Sequence, residues 1–202
     1  MGILERRQRQ KEEVRHSILT AAWQQVLAEG WSSLSIRKIA DAIEYSVPVI
    51  YSHFDSKDAI LMEFTREGFS RLLAAINAET DSLLSPAEQL ERIGEAYWQF
   101  AFNNQAYYQL MFGLGIPTCE QAIQVTEMRQ FGEVVMGLIG QVMAQDGAAI
   151  DCTNVHLKFQ TYWSLLHGLV SIRMIDRHPG DEAMGLLVLQ DAVGSFVKAL
   201  TR

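Results

Sequence analysis

With 202 residues, 49% hydrophobic and 20% charged, the chain is neither disordered nor fibrous and has material for one or two domains with a core. Its net charge of −7 is unevenly placed: residues 1–66 carry nine Lys/Arg and nine Asp/Glu, and residues 67–202 carry eight and fifteen. Residues 1–15 hold five basic residues against three acidic, so the front is comparatively basic and open to an anionic partner.

No uninterrupted apolar run approaches the length of a membrane span, and MGILERRQRQKEEVRH lacks the apolar core of a signal peptide. Arg6 stands where a myristoylation signal wants Ser or Thr. The simplest expectation is a cytoplasmic protein with no membrane partner. Cys119 and Cys152 have neither metal nor redox spacing and read as small semi-buried side chains beside helix starts. Only 4 prolines occur and apolar residues recur at three-to-four spacing, which predicts an all-α fold of about nine helices.

In chain order, a first helix is predicted from about Arg9 to Glu29, with Val14, Ile18, Ala21, Ala22 and Val26 inward. Gly30 ends it, and Trp31 folds back onto the core. Ser35 caps a second helix through Ala42, and Ser46 caps a third with Pro48 in its first turn. Asp55 or Ser56 caps a fourth helix from Lys57 to about Thr80. Ser85-Pro86-Ala87-Glu88 is a capping box opening a fifth helix to near Asn104, and a shorter helix covers Gln105 to Phe112. Residues 113–117 form a loop, and Thr118–Gln121 is a second capping box opening a helix to about Gln145. The last two helices run from Asp151 or Thr153 to about Asp176, and from Glu182 to Leu200.

Residues 35–54 read as two short helices joined by a tight turn, packed through Ile39, Ala40, Ile43, Val49 and Ile50. A second helix that reads DNA must be short, firmly seated and exposed along one side. Ser46, Val47, Ser52 and His53 are left for the outer face, where small side chains let the helix sit deep in the major groove. The amphipathic tip of Tyr51 suits a phosphate, and Lys57 at a helix start is poorly placed unless an anion is also there. Arg6, Arg7, Arg9 and Lys11 read either as an arm to the backbone or minor groove or as a solvated tail.

Ser35-Ile36-Arg37-Lys38-Ile39-Ala40, Ile50-Tyr51-Ser52-His53-Phe54 and Ser56-Lys57-Asp58-Ala59-Ile60-Leu61 together resemble the DNA-binding domain of the TetR family of bacterial transcriptional regulators, over roughly residues 10–65. The resemblance implies phosphate contacts from Tyr51 and Lys57. It puts Ser35 at the hydroxyl position opening the second helix and Arg37 at the basic position just inside it. Base contacts are assigned to Val47, Pro48 and Val49. One departure is the turn, where the family often has glycine and valine and this chain has Glu44 and Tyr45; the glutamate is expected to point away from the phosphates.

Aromatics in residues 97–112 cover more helix faces than one core needs. The helix around Tyr162-Trp163 carries two apolar stripes: Val155, Phe159, Tyr162, Leu166 and Leu169, then Trp163, His167, Val170 and Met174. The last helix has Leu186, Leu189, Val193, Phe196 and Leu200 at helical spacing. Two such helices per chain predict a four-helix bundle across a homodimer. Trp163-x-x-x-His167-Gly168, with Tyr97-x-x-Phe100-Ala101 and Tyr108-x-x-Met111-Phe112, is similar to a C-terminal subtype of the same family with a Trp-His-Gly element. The aromatic cluster and His167 read either as plain core or as the effector pocket that the likeness implies; the pocket candidates are Trp98, Phe102, Tyr107, Met111, Phe131, Trp163 and His167.

The expected organisation is a DNA-binding domain at residues 1–56 and an effector-binding and dimerisation domain at 57–202. The expected partners are operator DNA, a small-molecule effector and a second copy of the chain through the last two helices, with repression as the mode. No cofactor, metal or catalytic residue is expected. Glu13-Val14-Arg15-His16 has di-iron spacing but occurs once, and no nucleophile elbow or phosphate loop is present. The alternatives are a helical small-molecule carrier or, further off, an all-α enzyme.

Overall fold

The computed structural model of the protein describes residues 2–80, 83–113, 126–144, 151–175 and 182–201. Nine α-helices and one 3-10 turn make up the described residues, with no strand among them. The helices are α1 (Ile3–Glu29), α2 (Ile36–Ala42), α3 (Val47–His53), α4 (Lys57–Asn77), α5 (Pro86–Asn103), α6 (Gln105–Phe112), α7 (Thr126–Ala144), α8 (Cys152–Ile175) and α9 (Glu182–Leu200). The Thr118–Gln121 box, Cys119 and the breaks after Ala144 and Ile175 lie outside the described residues, as does the 113–117 loop beyond Gly113.

The chain divides into two compact units, with the division inside α4 between Arg66 and Glu67. The front unit takes residues 1–66 and the described chain from Ala106, so α6 belongs with it. The second unit holds the rest of α4, α5 and the described helices α7, α8 and α9.

Local chemistry sets the front helices. α1 starts at Ile3, six residues before the expected Arg9, because Glu5 reaches back to accept from the Gly2 N–H at 2.9 Å and closes the first turn. It stops at Gly30, whose φ of 80° and ψ of 170° are open to glycine and strained for other residues. That reversal turns Trp31 inward, as expected, to 4% exposure. Its indole N–H donates to the Ala106 carbonyl at 2.7 Å. Trp31 and Phe64 also flank Trp23, which stacks on Tyr107 at 4.4 Å between ring centroids.

The turn after α2 is a Schellman motif: the Tyr45 N–H bonds to the Ala40 carbonyl and the Glu44 N–H to Asp41. Glu44 occupies the left-handed position at φ 58°, where a glycine would sit without the roughly 1–2 kcal/mol penalty of a Cβ. Both Glu44 and Tyr45 are exposed. The expected side-chain caps at Ser35 and Ser46 do not form. The Ser35 N–H instead bonds to Gln25 Oε1 at 3.3 Å, while Gln25 Nε2 donates to the Ser33 carbonyl, so one α1 side chain fastens the whole connection to α2. Ser56, of the two candidates, caps α4 by accepting from the Ala59 N–H.

In the second unit the Ser85 box is complete: Ser85 Oγ accepts from the Glu88 N–H, and Glu88 accepts from the Ser85 N–H at 2.8 Å. The Ser85 hydroxyl, which donates to the Glu88 carboxylate at 2.7 Å, and then the Ser85 N–H hold the Glu88 carboxyl below the usual range. α5 is the central helix and packs against α7, α8 and α9. Gly94 permits this closeness, because a Cβ there would meet Val193 at 3.2 Å and Leu166 at 3.5 Å. Beside it the fully buried Tyr162 donates its hydroxyl to the Leu90 carbonyl at 2.6 Å, and burial pushes that phenol far above its ordinary range. The core stripe of α8 is Val155, Phe159, Tyr162, Leu166 and Val170; Val170 joins it in place of Leu169, which is half-buried.

One expectation changes on the surface. Cys152 is exposed rather than semi-buried, because it is the first residue of α8. α9 is one described helix long and apolar enough to span a membrane, with a mean hydropathy of 1.4 over Ala183–Leu200. Gln190, Asp191, Ser195 and Lys198 interrupt that window, which is why no continuous apolar run marks it in the sequence.

Candidate nucleic-acid interface and aromatic cluster

α2 and α3 meet at a tight turn, and three side chains seat the pair: Ile39, Ala40 and Ile50 are at or below 1% exposure. Phe54, just past α3, is buried as well, whereas Ile43 and Val49 are only half-buried. Burying Ile50 and Phe54 turns the opposite side of α3 out. Tyr51 is 48% exposed there, with Ser46, Pro48 and Ser52 also exposed. Arg37 is exposed on α2, while Ser35, Val47 and Lys57 are half-buried. Ser52 donates its hydroxyl to the Val49 carbonyl at 2.7 Å, which leaves only its acceptor lone pairs for another molecule.

His53 lies further inside than its sequence position suggests. Its ring is half-buried, and Nδ1 is shut from solvent with no hydrogen-bond partner among the described residues. Burial, then Lys11 and Arg15, push its pKa down, so the neutral ring dominates at neutral pH.

Sequence reasoning missed the residue that holds this region together. Arg15 pairs with Glu63 on α4 at 2.8 Å, donates to the His53 carbonyl at 3.4 Å and lies 4.3 Å over the Phe54 ring. One guanidinium therefore ties α1 and α4 to the end of α3. The pair is partly exposed and worth about 1 kcal/mol or less as an ion pair; its value is geometric, since a planar fork fixes three partners at once. The signal was present as an Arg beside the apolar face of α1, but no spacing rule names its partners.

The aromatic candidates separate. Tyr107 and Met111 belong to the front unit, with Tyr107 stacked on Trp23, because the chain turns at Asn104 before α6. In the second unit Trp98 and Phe102 meet each other at 4.7 Å. On another side of α5, Tyr97, Phe131, Phe159, Trp163 and His167 form a run of neighbours from α5, α7 and α8, each ring pair 6.0–6.4 Å apart where rings face. The His167 ring lies between two hydroxyls, with Tyr97 3.5 Å from Nδ1 and Ser171 3.4 Å from Nε2. An open groove of about 390 Å³ runs between α4 and α5 in this unit, lined by Arg71, Ala75, Gln99, Phe100 and Asn103 among others, and no predicted pocket residue lines it. Among the described residues no group of three His, Cys, Asp or Glu side chains could hold a metal ion.

Burial holds the His167 pKa below its ordinary value. The unfolded chain therefore binds the proton more readily, and stability falls as pH drops from above 6.5 toward the folded-state pKa. We expect urea unfolding at about pH 7.5 and about pH 5.5 to show a loss of stability on acidification. That loss should be smaller in His167→Asn, and an equal loss in both chains would remove His167 from the cause.

These features define a class: an all-α protein with a helix-turn-helix head and a separate helical unit. The sequence profile of "Bacterial regulatory proteins, tetR family" matches residues 18–64, and that of "Tetracyclin repressor-like, C-terminal domain" matches residues 90–185. The chain belongs to the TetR family of bacterial transcriptional regulators. It is 27% identical over 94 residues to an uncharacterised HTH-type transcriptional regulator of Haemophilus influenzae, and 24% identical over 102 residues to the HTH-type transcriptional activator FasR of Mycolicibacterium smegmatis. Those matches cover 46% and 50% of this chain, and the chain spans about half the length of these curated relatives, 50% and 47%. Its fold is similar to that of the TetR family transcriptional regulator PfmR from Thermus thermophilus, at TM-score 0.62 and 20% identity over 92% of this chain and 99% of that one. It is also similar to AibR, solved with isovaleryl coenzyme A and operator DNA, at TM-score 0.63 and 14% identity over 90% and 96% of the two chains.

Proposed function

We propose that the protein is a homodimeric, ligand-responsive repressor of transcription, released from a palindromic operator when a small molecule binds its C-terminal domain. The supporting observation is the way α3 is mounted: Ile50 and Phe54 are buried while Tyr51, Ser46 and Pro48 stay out. In this reading residues 1–56 form the DNA-binding domain. Tyr51 and Lys57 clamp phosphates with help from Ser35 and Arg37, and Val47, Pro48 and Val49 lie nearest the bases, with Ser46, Ser52 and His53 beside them. The half-sites are then about one helical turn apart, or a multiple of it.

Residues 57–202 form the effector and dimerisation domain. Dimerisation falls to α8 and α9, which carry six of the eleven exposed large apolar side chains among the described residues: Leu157, Ile172, Ile175, Met184, Leu187 and Val188. On α8 the exposed apolar residues share a stripe with Thr161, Ser164 and Gly168, and a Cβ on Gly168 would meet no atom of its own chain within 4 Å. The Trp-His-Gly subtype is part of the proposal, with the effector site around Phe131, Trp163 and His167. Release then needs only an effector whose affinity differs between two arrangements of the heads. The proposal also makes the protein a cytoplasmic non-enzyme. A second reading as an activator has FasR as its one support.

The test is duplex binding across a salt series. Tyr51→Phe and Lys57→Ala should each weaken binding to every sequence alike; Lys57→Ala, which removes a charge from a phosphate, should also shallow the log–log salt slope by about 0.9, and Tyr51→Phe, which removes none, should leave the slope close to wild type. Unchanged affinity and slope in both variants would sink the phosphate assignments.

A further inference from the structure

The front of α1 carries a row of cations that the proposed DNA contacts leave unused. Arg7, Lys11 and Arg15 stand four residues apart, so they share one face of the helix and rise roughly 6 Å from one to the next. Arg15 fixes where that face points, because its guanidinium is held by Glu63 and by the carbonyl at the end of α3. Lys11 is one turn further out and close enough to His53 to depress its protonation; Arg7 is one turn beyond that. Every described side chain from Leu4 to Glu13 is exposed, so these turns bury nothing in the chain itself.

The local pattern works against such a row as a solvated helix face. Arg7 has Leu4, Gln10 and Lys11 as neighbours at three and four residues; Lys11 has Arg7, Gln8, Val14 and Arg15. Neither has a carboxylate at either spacing, and two like-charged pairs at i,i+4 oppose the helix. The acidic residues of this stretch lie elsewhere: Glu5 caps the helix start and Glu12 accepts from Gln8. Arg6 stands one step around the helix, in line with Gln10 and Glu13.

We propose that Arg7 and Lys11 form a rail that binds backbone phosphates of duplex DNA beside the site occupied by α3, with Arg15 as the positioning residue that sets the rail's direction. The inference rests on the DNA-binding reading above and extends its footprint outward from the recognition helix. Of the basic cluster Arg6, Arg7, Arg9 and Lys11 it singles out Arg7 and Lys11 as phosphate ligands, and it adds Arg15 as their structural anchor. Phosphate contacts carry no sequence information, so the rail acts on any duplex and adds to affinity and register rather than to choice of base.

The experiment uses the full chain, a random-sequence duplex of about 40 base pairs and a salt series. Arg7→Gln with Lys11→Gln should weaken binding about tenfold or more at low salt and shallow the slope by about 2 units for each head engaged. The reciprocal pair Arg7→Lys with Lys11→Arg should keep both. Arg92→Gln with Arg129→Gln removes the same charge from the second unit and should leave affinity and slope close to wild type. A helical circular-dichroism signal equal to wild type shows that the Gln pair is folded. An unchanged slope in a folded Gln pair overturns the rail while leaving the DNA reading intact, provided Lys57→Ala still lowers it. An equal loss in the Arg92/Arg129 control reduces the effect to bulk charge and also overturns the rail. A wild-type chain that binds no duplex at any salt removes both readings.

Discussion

Replacing Trp31 by alanine should cost about 3–5 kcal/mol, the range for a buried tryptophan in a core that closes only in part around the gap. That is a large share of the roughly 5–15 kcal/mol typical of a domain. The indole is 4% exposed, sits 5.5 Å from Phe64 and 5.9 Å from Trp23, and makes a 2.7 Å bond to the Ala106 carbonyl. It therefore joins the end of α1, the middle of α4 and the start of α6 through one side chain. Trp31→Phe keeps most of the apolar contact and loses the donor, so it should cost about 1–3 kcal/mol, the range for a buried group left unpaired. Thermal melts followed at a helical wavelength separate the two, with Trp31→Ala much the lower. Duplex binding should fail in Trp31→Ala at temperatures where Lys57→Ala is folded and merely weaker. A Trp31→Ala chain that melts with wild type would show that the cluster does not hold the front unit.

How much could be read in advance depended on whether the determinant was local. The helices and most of their limits follow from apolar periodicity, proline in first turns and the Ser85 box, all of which act within four residues, whereas α1 begins six residues ahead of the start that its apolar stripe predicts. The seating of α3 was legible for the same reason, since Ile50 and Phe54 are spaced to face one way. Ser35 and Ser46 have the right composition for side-chain caps, yet neither hydroxyl caps its helix; what fixes the chain ahead of α2 is a Gln25 side chain ten residues back, which accepts from the Ser35 N–H. Arg15 is the same case over a longer reach, with partners 38 and 48 positions along the chain. The aromatic candidates were chosen by composition, helical spacing and the likeness to the Trp-His-Gly subtype, none of which sees long-range packing. Composition cannot tell that a turn at Asn104 carries Tyr107 into one unit while Trp163 and His167 stay in the other. Glu44 shows the limit from the other side: its departure from the family's glycine was visible, and the backbone at φ 58° gives the physical meaning of that position.

Gly185→Ala should destabilise the protein even though it places the best helix former inside α9. Alanine gains about 0.8–1 kcal/mol over glycine in a helix interior. Gly137 in α7 provides the reference, because a Cβ there would meet nothing within 4 Å, and Gly137→Ala should show that gain. At Gly185 the same Cβ would lie 2.8 Å from two ring carbons of Trp98 and 3.1 Å from Nε of Arg173. The contact with Arg173 is the longer one and is made by a flexible side chain, so the indole decides the cost: it is a rigid plane at 8% exposure with Phe102 against it at 4.7 Å. Overpacking of this kind costs about 1–3 kcal/mol, which exceeds the propensity gain over most of that range. A double-mutant cycle isolates the cause. Trp98→Leu alone should lose about 2–4 kcal/mol by truncation. In that background Gly185→Ala should become neutral or stabilising, because the ring that met the Cβ is gone. The coupling between the two sites should then be about 1–3 kcal/mol and favourable, as for residues in contact. Additive losses would mean that the helix backbone, not the indole, requires glycine at this position.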